Sequence, residues 1–247
     1  MKHVHFSGFL QKVAPVIIIA LLMVNVVTAQ TSTSPPLLLT PADGDTSICE
    51  GQSLNLQAVL SPTNPIGVDP GSGEGGGKFE DLTDDEFTPV IDIGFDFVFY
   101  GQTYSQCVLS TNNYLSFNLG NANGYSGWSI TAPAPNAGNT PLNSIMCPWQ
   151  DINPAVGGVV QYQTIGEAPN RVFVVEYCNI PMFSCTNMEF TDQIKLFETT
   201  NIIEIHIKSK PLCTSWNNGN AIEGLCKDGA TAHIVPGRNY PEQWEVY

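Results

Sequence analysis

The sequence predicts an all-β protein, an antiparallel β-sandwich that is stabilised by disulfides and carries long irregular loops. From Val90 onward, short runs of alternating apolar and polar residues follow one another, which is the period-2 pattern of half-buried strands. No stretch shows the apolar spacing of an amphipathic helix. Seven cysteines follow an N-terminal segment of export-signal type, and cysteines of exported proteins commonly form disulfides.

The N-terminal segment indicates export. Lys2 and Lys12 provide positive charge around the apolar run at 13–24 (VAPVIIIALLMV), and small residues at 27–29 offer a cleavage point before Gln30. The alternative is a membrane anchor, but the run is short for a hydrocarbon layer of roughly 30 Å. We therefore predict a signal peptide at 1–29 and no transmembrane segment after its cleavage. The chain is expected to be secreted or held at the outer cell surface.

The charge balance limits the classes of partner. Cleavage would leave 7 basic and 23 acidic residues, a net charge of −16. A chain this acidic repels phosphate backbones and anionic lipid, so no nucleic-acid partner is expected. Solubility outside the cell is the ordinary explanation for such acidity, and binding of a divalent cation is the alternative.

Residues 30–89 read as a lead rather than as a complete domain. The Ser/Thr/Pro-rich start gives way at 48–60 (ICEGQSLNLQAVL) to one predicted strand that opens like an immunoglobulin-like or PKD-like module, but the rest of such a module is missing. Residues 61–77 are rich in Pro and Gly and predict a flexible connector. The acidic stretch 80–86 (EDLTDDE) is predicted to be exposed.

The sandwich itself is predicted at 90–237. Its clearest hairpin is 189–208, where three isoleucines form one face of the second strand. The segment 119–143 has no periodicity and predicts a long loop, and 238–247 is assigned to the start of a following segment, with truncation of the chain left open. Ten strands are predicted, at 90–99, 106–110, 113–118, 144–149, 158–164, 171–178, 189–198, 201–208, 221–226 and 231–235.

The sequence provides no catalytic apparatus that can be recognised. It has no G-x-S-x-G, H-E-x-x-H or P-loop motif, and only two histidines follow the signal peptide. Paired carboxylates could still cleave a glycosidic bond; the candidates are Asp92, Asp96, Asp151, Glu176 and Glu198. We assign no catalytic residue and no cofactor, and we expect the protein not to be an enzyme.

Two groups of loop residues could contact a ligand or an ion. Asp151 and Asn153, with the carbonyls of 157–158, could hold calcium; the alternative, which we favour, is that Asp151 caps its own turn, so that no metal is assigned. Tyr125, Trp128 and Trp216 lie in predicted loops beside Asn and Gly. They could stack on a sugar or a partner protein, or they could fold back onto the sandwich.

Two segments resemble the nidogen-type extracellular domain (NIDO). They are GFDFVFYGQTYSQCVLSTNNYLSFN at 94–118 and IMCPWQDINPAVGGVVQY at 145–162. Asn113 stands where Gly is usual in this family, and Asn tolerates the left-handed backbone that such a turn requires. The positions that carry the motif are Phe97, Phe99, Gly101, Tyr104, Thr111, Asn112, Phe117, Pro148, Trp149 and Asp151.

The resemblance carries expectations about function and cysteine pairing. The downstream half, through about residue 245, looks like the version found in Bacteroidetes-type surface proteins with PKD or Ig-like repeats and a type IX secretion (gliding-motility-associated) sorting domain. This implies an adhesion or matrix-contact module for an extracellular protein or glycan ligand; a lectin-like binder or glycosidase is the alternative. It also suggests a disulfide between Cys185 and Cys213. The resemblance does not cover the other cysteines: Cys178 and Cys226 look like additions peculiar to this chain that could bridge neighbouring strands, and Cys107 with Cys147 is a third possible pair, which would leave Cys49 unpaired.

Overall fold

The computed structural model describes residues 39–41, 56–58, 76–79 and 81–247. The predicted signal peptide, Cys49 and most of the predicted connector lie outside these residues. The chain divides into two compact units, 1–62 and 63–247. In the first unit, strand β1 (Leu39–Pro41) pairs antiparallel with β2 (Leu56–Ala58), and β2 falls within the single strand predicted there.

The regular secondary structure of the second unit is almost entirely strand, and each of the ten predicted strands is present. Short 3₁₀ turns occupy Leu119–Asn121 and Asn217–Gly219. None of the described helical segments is long and apolar enough to span a membrane. The strands are β3 (Gly77–Phe79), β4 (Ile91–Phe99), β5 (Gln102–Ser110), β6 (Tyr114–Ser116), β7 (Ser144–Trp149), β8 (Val159–Ile165), β9 (Val172–Met182), β10 (Cys185–Phe197), β11 (Ile203–Ser209), β12 (Ile222–Cys226) and β13 (Ala232–Ile234).

These strands form two antiparallel sheets. One sheet has the order β11-β10-β9-β8-β3, and the other has the order β13-β12-β7-β6-β5-β4. The predicted hairpin is the β10–β11 pair, with Gln193 opposite His206. The predicted class, an antiparallel β-sandwich with a disulfide and long loops, is confirmed.

The small edge strand β3 was not predicted from the sequence. It follows a Gly-rich run that reads as a connector, and it pairs with β8 so that Gly77 lies opposite Tyr162. A Cβ atom on Gly77 would lie 2.6 Å from the Tyr162 ring. The glycine that suggested a linker is therefore the residue that lets an aromatic ring lie against the strand.

The main core lies between the two sheets. Strand β4 alternates strictly between buried and exposed residues, so that Ile93, Phe95 and Phe97 point inward. The facing sheet contributes a matching set that includes Phe173. The hydroxyl of Tyr177, also in this core, donates across the sandwich to the carbonyl of Ser110 at 2.8 Å, which satisfies the one polar atom that this side chain buries.

A second core covers the outer face of the six-stranded sheet. The irregular segment 119–143 lies over this face and buries Ile130 and Ala134 in the same cluster as Met146 and Trp149. The indole nitrogen of Trp149 donates to the carbonyl of Gly127 at 3.0 Å. Because both faces of β6, β7 and the second half of β5 are covered, these segments lack the polar alternation of a solvent-facing strand.

The disulfide that the resemblance implies is present, and the two further pairings are not. Cys185 and Cys213 form a disulfide with their Cα atoms 6.0 Å apart. The bridge between Cys107 and Cys147 is absent, because β6 lies between their strands and two strand spacings of roughly 4.8 Å exceed the reach of a disulfide.

The bridge between Cys178 and Cys226 is also absent. Cys178 belongs to β9 in the five-stranded sheet, whereas Cys226 belongs to β12 in the six-stranded sheet. The thiol of Cys226 is buried in the outer core, on the face that points away from the five-stranded sheet. Cys107, Cys147 and Cys226 are free thiols in the structure.

Candidate functional site

One end of the sandwich gathers several segments that are distant in the sequence. They are the segment before β4, the turn between β5 and β6, and the residues after β7. The amide of Thr111 donates to the carbonyl of Glu86 at 2.9 Å, and the amide of Gln150 donates to the carbonyl of Asn112 at 3.2 Å. The turn between β5 and β6 is therefore the frame on which the other two segments are fixed.

Asn113 holds this turn in place. Its φ of 63° lies in the left-handed region, as its place in the family motif predicts. Its side-chain nitrogen donates to the carbonyls of Cys147 and Pro148 at 2.9 and 3.0 Å, and to Oδ2 of Asp192 at 2.7 Å. Asp192 belongs to β10, so this one amide joins the turn to both sheets.

Asp151 follows β7 and is the buried acid of the site. The residue is 6% exposed. Its Oδ2 accepts a hydrogen bond from the indole nitrogen of Trp216 at 2.7 Å, while its Oδ1 has no hydrogen-bond partner in the described part of the chain. Burial raises its pKa to about 7, against the Trp216 hydrogen bond, and the carboxylates of Asp85 and Asp84 raise it further.

The turn that follows β7 is capped by Asn153 and not by Asp151. Oδ1 of Asn153 accepts from the amide of Ala155 at 3.0 Å. The expectation that Asp151 caps its own turn is therefore wrong. The two residues predicted as possible calcium ligands therefore have different roles. Asp151 faces Trp216 and two other acids, whereas Asn153 caps the turn that it belongs to.

Those two acids are Asp84 and Asp85. One carboxylate oxygen from each of Asp84, Asp85 and Asp151 lies within 4.8 Å of the other two; we call this group the acidic cluster. Burial raises the pKa of Asp84 to about 6, with the charge of Asp85 adding to the effect. Oδ1 of Asp85 accepts from Nδ2 of the fully buried Asn112 at 2.9 Å.

Aromatic side chains adjoin the acidic cluster. The rings of Trp128 and Trp216 are 5.2 Å apart, and those of Phe183 and Trp216 are 4.7 Å apart. Tyr125 remains 71% exposed, and the charges of the cluster contribute to the raised pKa of its hydroxyl, after desolvation. We call Tyr125, Trp128, Phe183 and Trp216 the aromatic rim. Of the three predicted contact residues, Trp216 donates to Asp151, Trp128 lies against Trp216, and Tyr125 is close enough for the charge of Asp151 to act on its hydroxyl.

A small cavity adjoins Asp151. It has a volume of about 10 Å³ and is lined by Gln150, Asp151, Trp216 and Asn220 among others. Both polar side-chain atoms of Gln150 and Oδ1 of Asn220 have no hydrogen-bond partner among the described residues. A space of this size fits about one water molecule and no sugar ring.

The comparisons with known proteins agree with this architecture. The model of the NIDO-related family matches residues 72–242. The chain belongs to the NIDO-related family. Searches among curated proteins and among solved structures return no match.

Membership places the whole site inside the family region. Domains of this type are typically extracellular. The match begins before Asp84 and ends after Trp216, so the NIDO-related domain includes the acidic segment that precedes β4. The resemblance read from the sequence began near residue 90 and left that segment out.

The other acids proposed from the sequence do not join Asp151 in this NIDO-related domain. Asp92 and Asp96 are exposed on β4. Glu176 is buried in β9, where Nε2 of Gln161 donates to it at 2.6 Å. Glu198 forms an ion pair with Arg171, which immediately precedes β9. The hydrogen bond from Arg171 lowers the pKa of Glu198 to about 2.

Asp84 and Asp85 were missed because acidic stretches are usually solvated, and 80–86 was assigned to the surface on that ground. The one sequence signal was their position just before the first long strand, since the segment entering a sheet edge often packs against the turn beyond it. The charge pattern alone does not distinguish a solvated acidic stretch from one that packs against the turn between β5 and β6.

Proposed function

We propose that this domain is an extracellular binding module that serves adhesion and does not catalyse a reaction, and that the aromatic rim contacts its ligand. The observation that carries the proposal is the exposure of Tyr125. Its ring stands in water although its backbone is paired to Glu86 in an ordered segment. Large aromatic side chains that are rigidly held yet exposed are the residues that contribute most to binding interfaces.

The arrangement of the rim supports a protein or glycan ligand. Trp216 is fixed between two rings and by its hydrogen bond to Asp151, so little side-chain entropy is lost when a ligand covers it. A flat aromatic group can stack on the apolar face of a sugar or enter the centre of a protein interface. The strongly acidic chain favours neutral or cationic ligands over anionic ones.

The proposal predicts a specific loss of binding on substitution of Tyr125. Arrays of matrix proteins and glycans are probed with the exported wild-type protein and with Tyr125→Ala. We expect binding to weaken by about tenfold or more, as for a contact residue at the centre of an interface. Tyr247→Ala is the matched control, because Tyr247 is 85% exposed and lies outside the rim. Equal loss in both variants, or no loss in Tyr125→Ala, contradicts the proposal.

A second candidate is a carbohydrate-active protein, and one observation favours it. Asp151 has its pKa raised to about 7 beside other carboxylates, as a general acid of a glycosidase requires. The small cavity beside Asp151 argues against it. Hydrolysis of a glycan panel by wild type and by Asp151→Asn separates the two candidates, because turnover that depends on Asp151 would favour the enzyme.

We also propose that the protein is displayed at the outer cell surface by the type IX route that the resemblance implies. The predicted signal peptide and the Cys185–Cys213 bridge support export. Protease added to intact cells should degrade the protein. Protection from protease in intact cells, lost on lysis, would place it inside the envelope instead.

A further inference from the structure

The acidic cluster is unfavourable in the form described above. Three carboxylate oxygens lie within 4.8 Å of one another in a place that is partly closed to water. Like charges at this distance repel, and they repel more strongly where water is excluded. The nearby charges that act on Asp151 are those of Asp85 and Asp84, both of the same sign.

Asn112 gives an independent indication that something is bound there. Its Nδ2 donates to Oδ1 of Asp85 and to the carbonyl of Ser126 at 2.9 and 3.1 Å. Those two acceptors fix the orientation of the amide, so the remaining atom is the oxygen. This Oδ1 belongs to a residue with no exposed surface and has no donor in the described structure. A buried acceptor without a partner costs about 1–3 kcal/mol.

Two oxygens of the acidic cluster, which the Asn112 amide adjoins through Asp85, are in the same state. Oδ1 of Asp84 and Oδ1 of Asp151 are both buried and lack a hydrogen-bond partner among the described residues. Unsatisfied acceptors are rare in folded proteins, and several at one point call for a ligand that takes electron pairs. A hydrogen-bond donor would satisfy one of them, whereas one divalent cation can bind several and offset two of the three carboxylate charges.

We propose that Asp84, Asp85, Asn112 and Asp151 bind a divalent cation and that the ion is calcium. The available atoms are carboxylate and amide oxygens, which are the ligands that hard cations select. Calcium accepts six to eight oxygens in a flexible geometry, and water or backbone carbonyls complete its shell. Magnesium demands a stricter octahedron, for which residues from three separate segments are less suited.

The ion joins the segment before β4 to the end of the six-stranded sheet. It also fixes the aromatic rim, because Asp151 holds Trp216 with Oδ2 and keeps Oδ1 for the ion. A hydrogen-bond donor on the far side of a metal-ligating carboxylate orients that carboxylate. Bound calcium therefore changes the surroundings of the Trp216 indole, which gives an optical signal that is independent of ligand binding by the rim.

Calorimetric titration of the exported protein with calcium, after treatment with chelator, tests the proposal. We expect one ion per chain, a change in tryptophan fluorescence with the same midpoint, and a higher melting temperature with calcium. Asp84→Asn and Asp151→Asn should each weaken calcium binding by tenfold or more. The matched control is Asp81→Asn, because Asp81 is an exposed acid only three residues from Asp84.

A second measurement applies even if the aspartate variants do not fold. Terbium occupies calcium sites and emits when a nearby indole is excited, so wild type should show sensitised emission that calcium displaces. Trp216→Phe should lower that emission by several-fold while calorimetric binding of calcium persists. Absence of both the calorimetric heat and the sensitised emission in wild type overturns the proposal, as does unchanged affinity in folded Asp84→Asn and Asp151→Asn.

Discussion

At the scale of a single residue, Asn113 has two roles, one through its backbone and one through its side chain. The backbone role, a left-handed turn residue, follows from the sequence because only Gly and a few polar residues adopt φ near 63° without strain. The side-chain role does not follow, because its acceptors on β7 and β10 are 34 to 79 positions away. The usual Gly of the family would supply the turn and none of these three bonds.

Asn113→Gly should therefore destabilise the protein although it restores the usual family residue. The turn conformation is kept, but three buried acceptors each lose a hydrogen bond, so we expect a loss of roughly 2–4 kcal/mol in the free energy of unfolding. Chemical denaturation measures it. The control is Asn123→Gly, since Asn123 has a φ of 57°, is exposed, and makes no side-chain hydrogen bond in the described structure. Equal stability of the two variants would refute the role given to the Asn113 amide.

At the scale of an element, the strands could be predicted and their partners could not. Alternation along β4 or β11 is a local property, and it located each of the ten strands within a few residues. Two cysteine pairs failed because pairing depends on sheet order, which puts β6 between Cys107 and Cys147. Likewise the irregular segment 119–143 has no local signal for its packing on the six-stranded sheet, since Ile130 is buried by contacts that are distant in sequence.

The start of β8 provides a test of close strand packing. Gly158 has a φ of 78°, and a Cβ atom there would lie 2.5 Å from the carbonyl oxygen of Asn179 on β9. Gly158→Ala should cost about 3–5 kcal/mol, because it adds a clash with backbone to the strain of a left-handed residue. Gly101 has a φ of 79° and open space around it, so Gly101→Ala should cost only about 1–2 kcal/mol. Similar losses in denaturation would show that the β8–β9 contact is looser than described.

At the scale of the whole molecule, the site exists only because distant segments meet. Asp84 and Asp151 are 67 positions apart, and each alone reads as an ordinary surface or turn acid. The sequence did identify Asp151, Tyr125, Trp128 and Trp216 as residues of interest. It could not predict that these residues lie close together. Their proximity arises because the end of β7 and the loop before β12 meet at the same end of the sandwich.

The C-terminal residues also pack on the sandwich, although 238–247 was assigned to a following segment. Lys210 has no exposed surface and its Nζ donates to the carbonyl of Trp244 at 2.7 Å. The Trp244 ring lies 4.7 Å from the same nitrogen, and the ring nitrogen donates to the carbonyl of Ala221. Residues 63–247 accordingly form one compact unit.

This packing predicts a pH dependence of stability. Burial lowers the pKa of Lys210 to about 8, with Glu245 acting in the opposite direction. The unfolded chain then binds a proton more tightly than the folded chain, so the free energy of unfolding gains a contribution as pH rises from about 8 toward the unfolded pKa near 10.4. Denaturation of wild type and Lys210→Met across this range isolates the effect, because other groups titrate equally in both. A difference between them that does not change with pH would contradict the burial of the Lys210 ammonium.

The central claim is that the ligand meets the end of the sandwich that carries the aromatic rim and the acidic cluster. Hydrogen exchange of the protein without its predicted signal peptide, free and saturated with the protein or glycan that the arrays identify, tests it most directly. We predict slower exchange on binding in 119–130 and 212–219, with little change in β10 and β11. Protection confined to the outer face of β9, β10 and β11, with the rim unchanged, would contradict the claim.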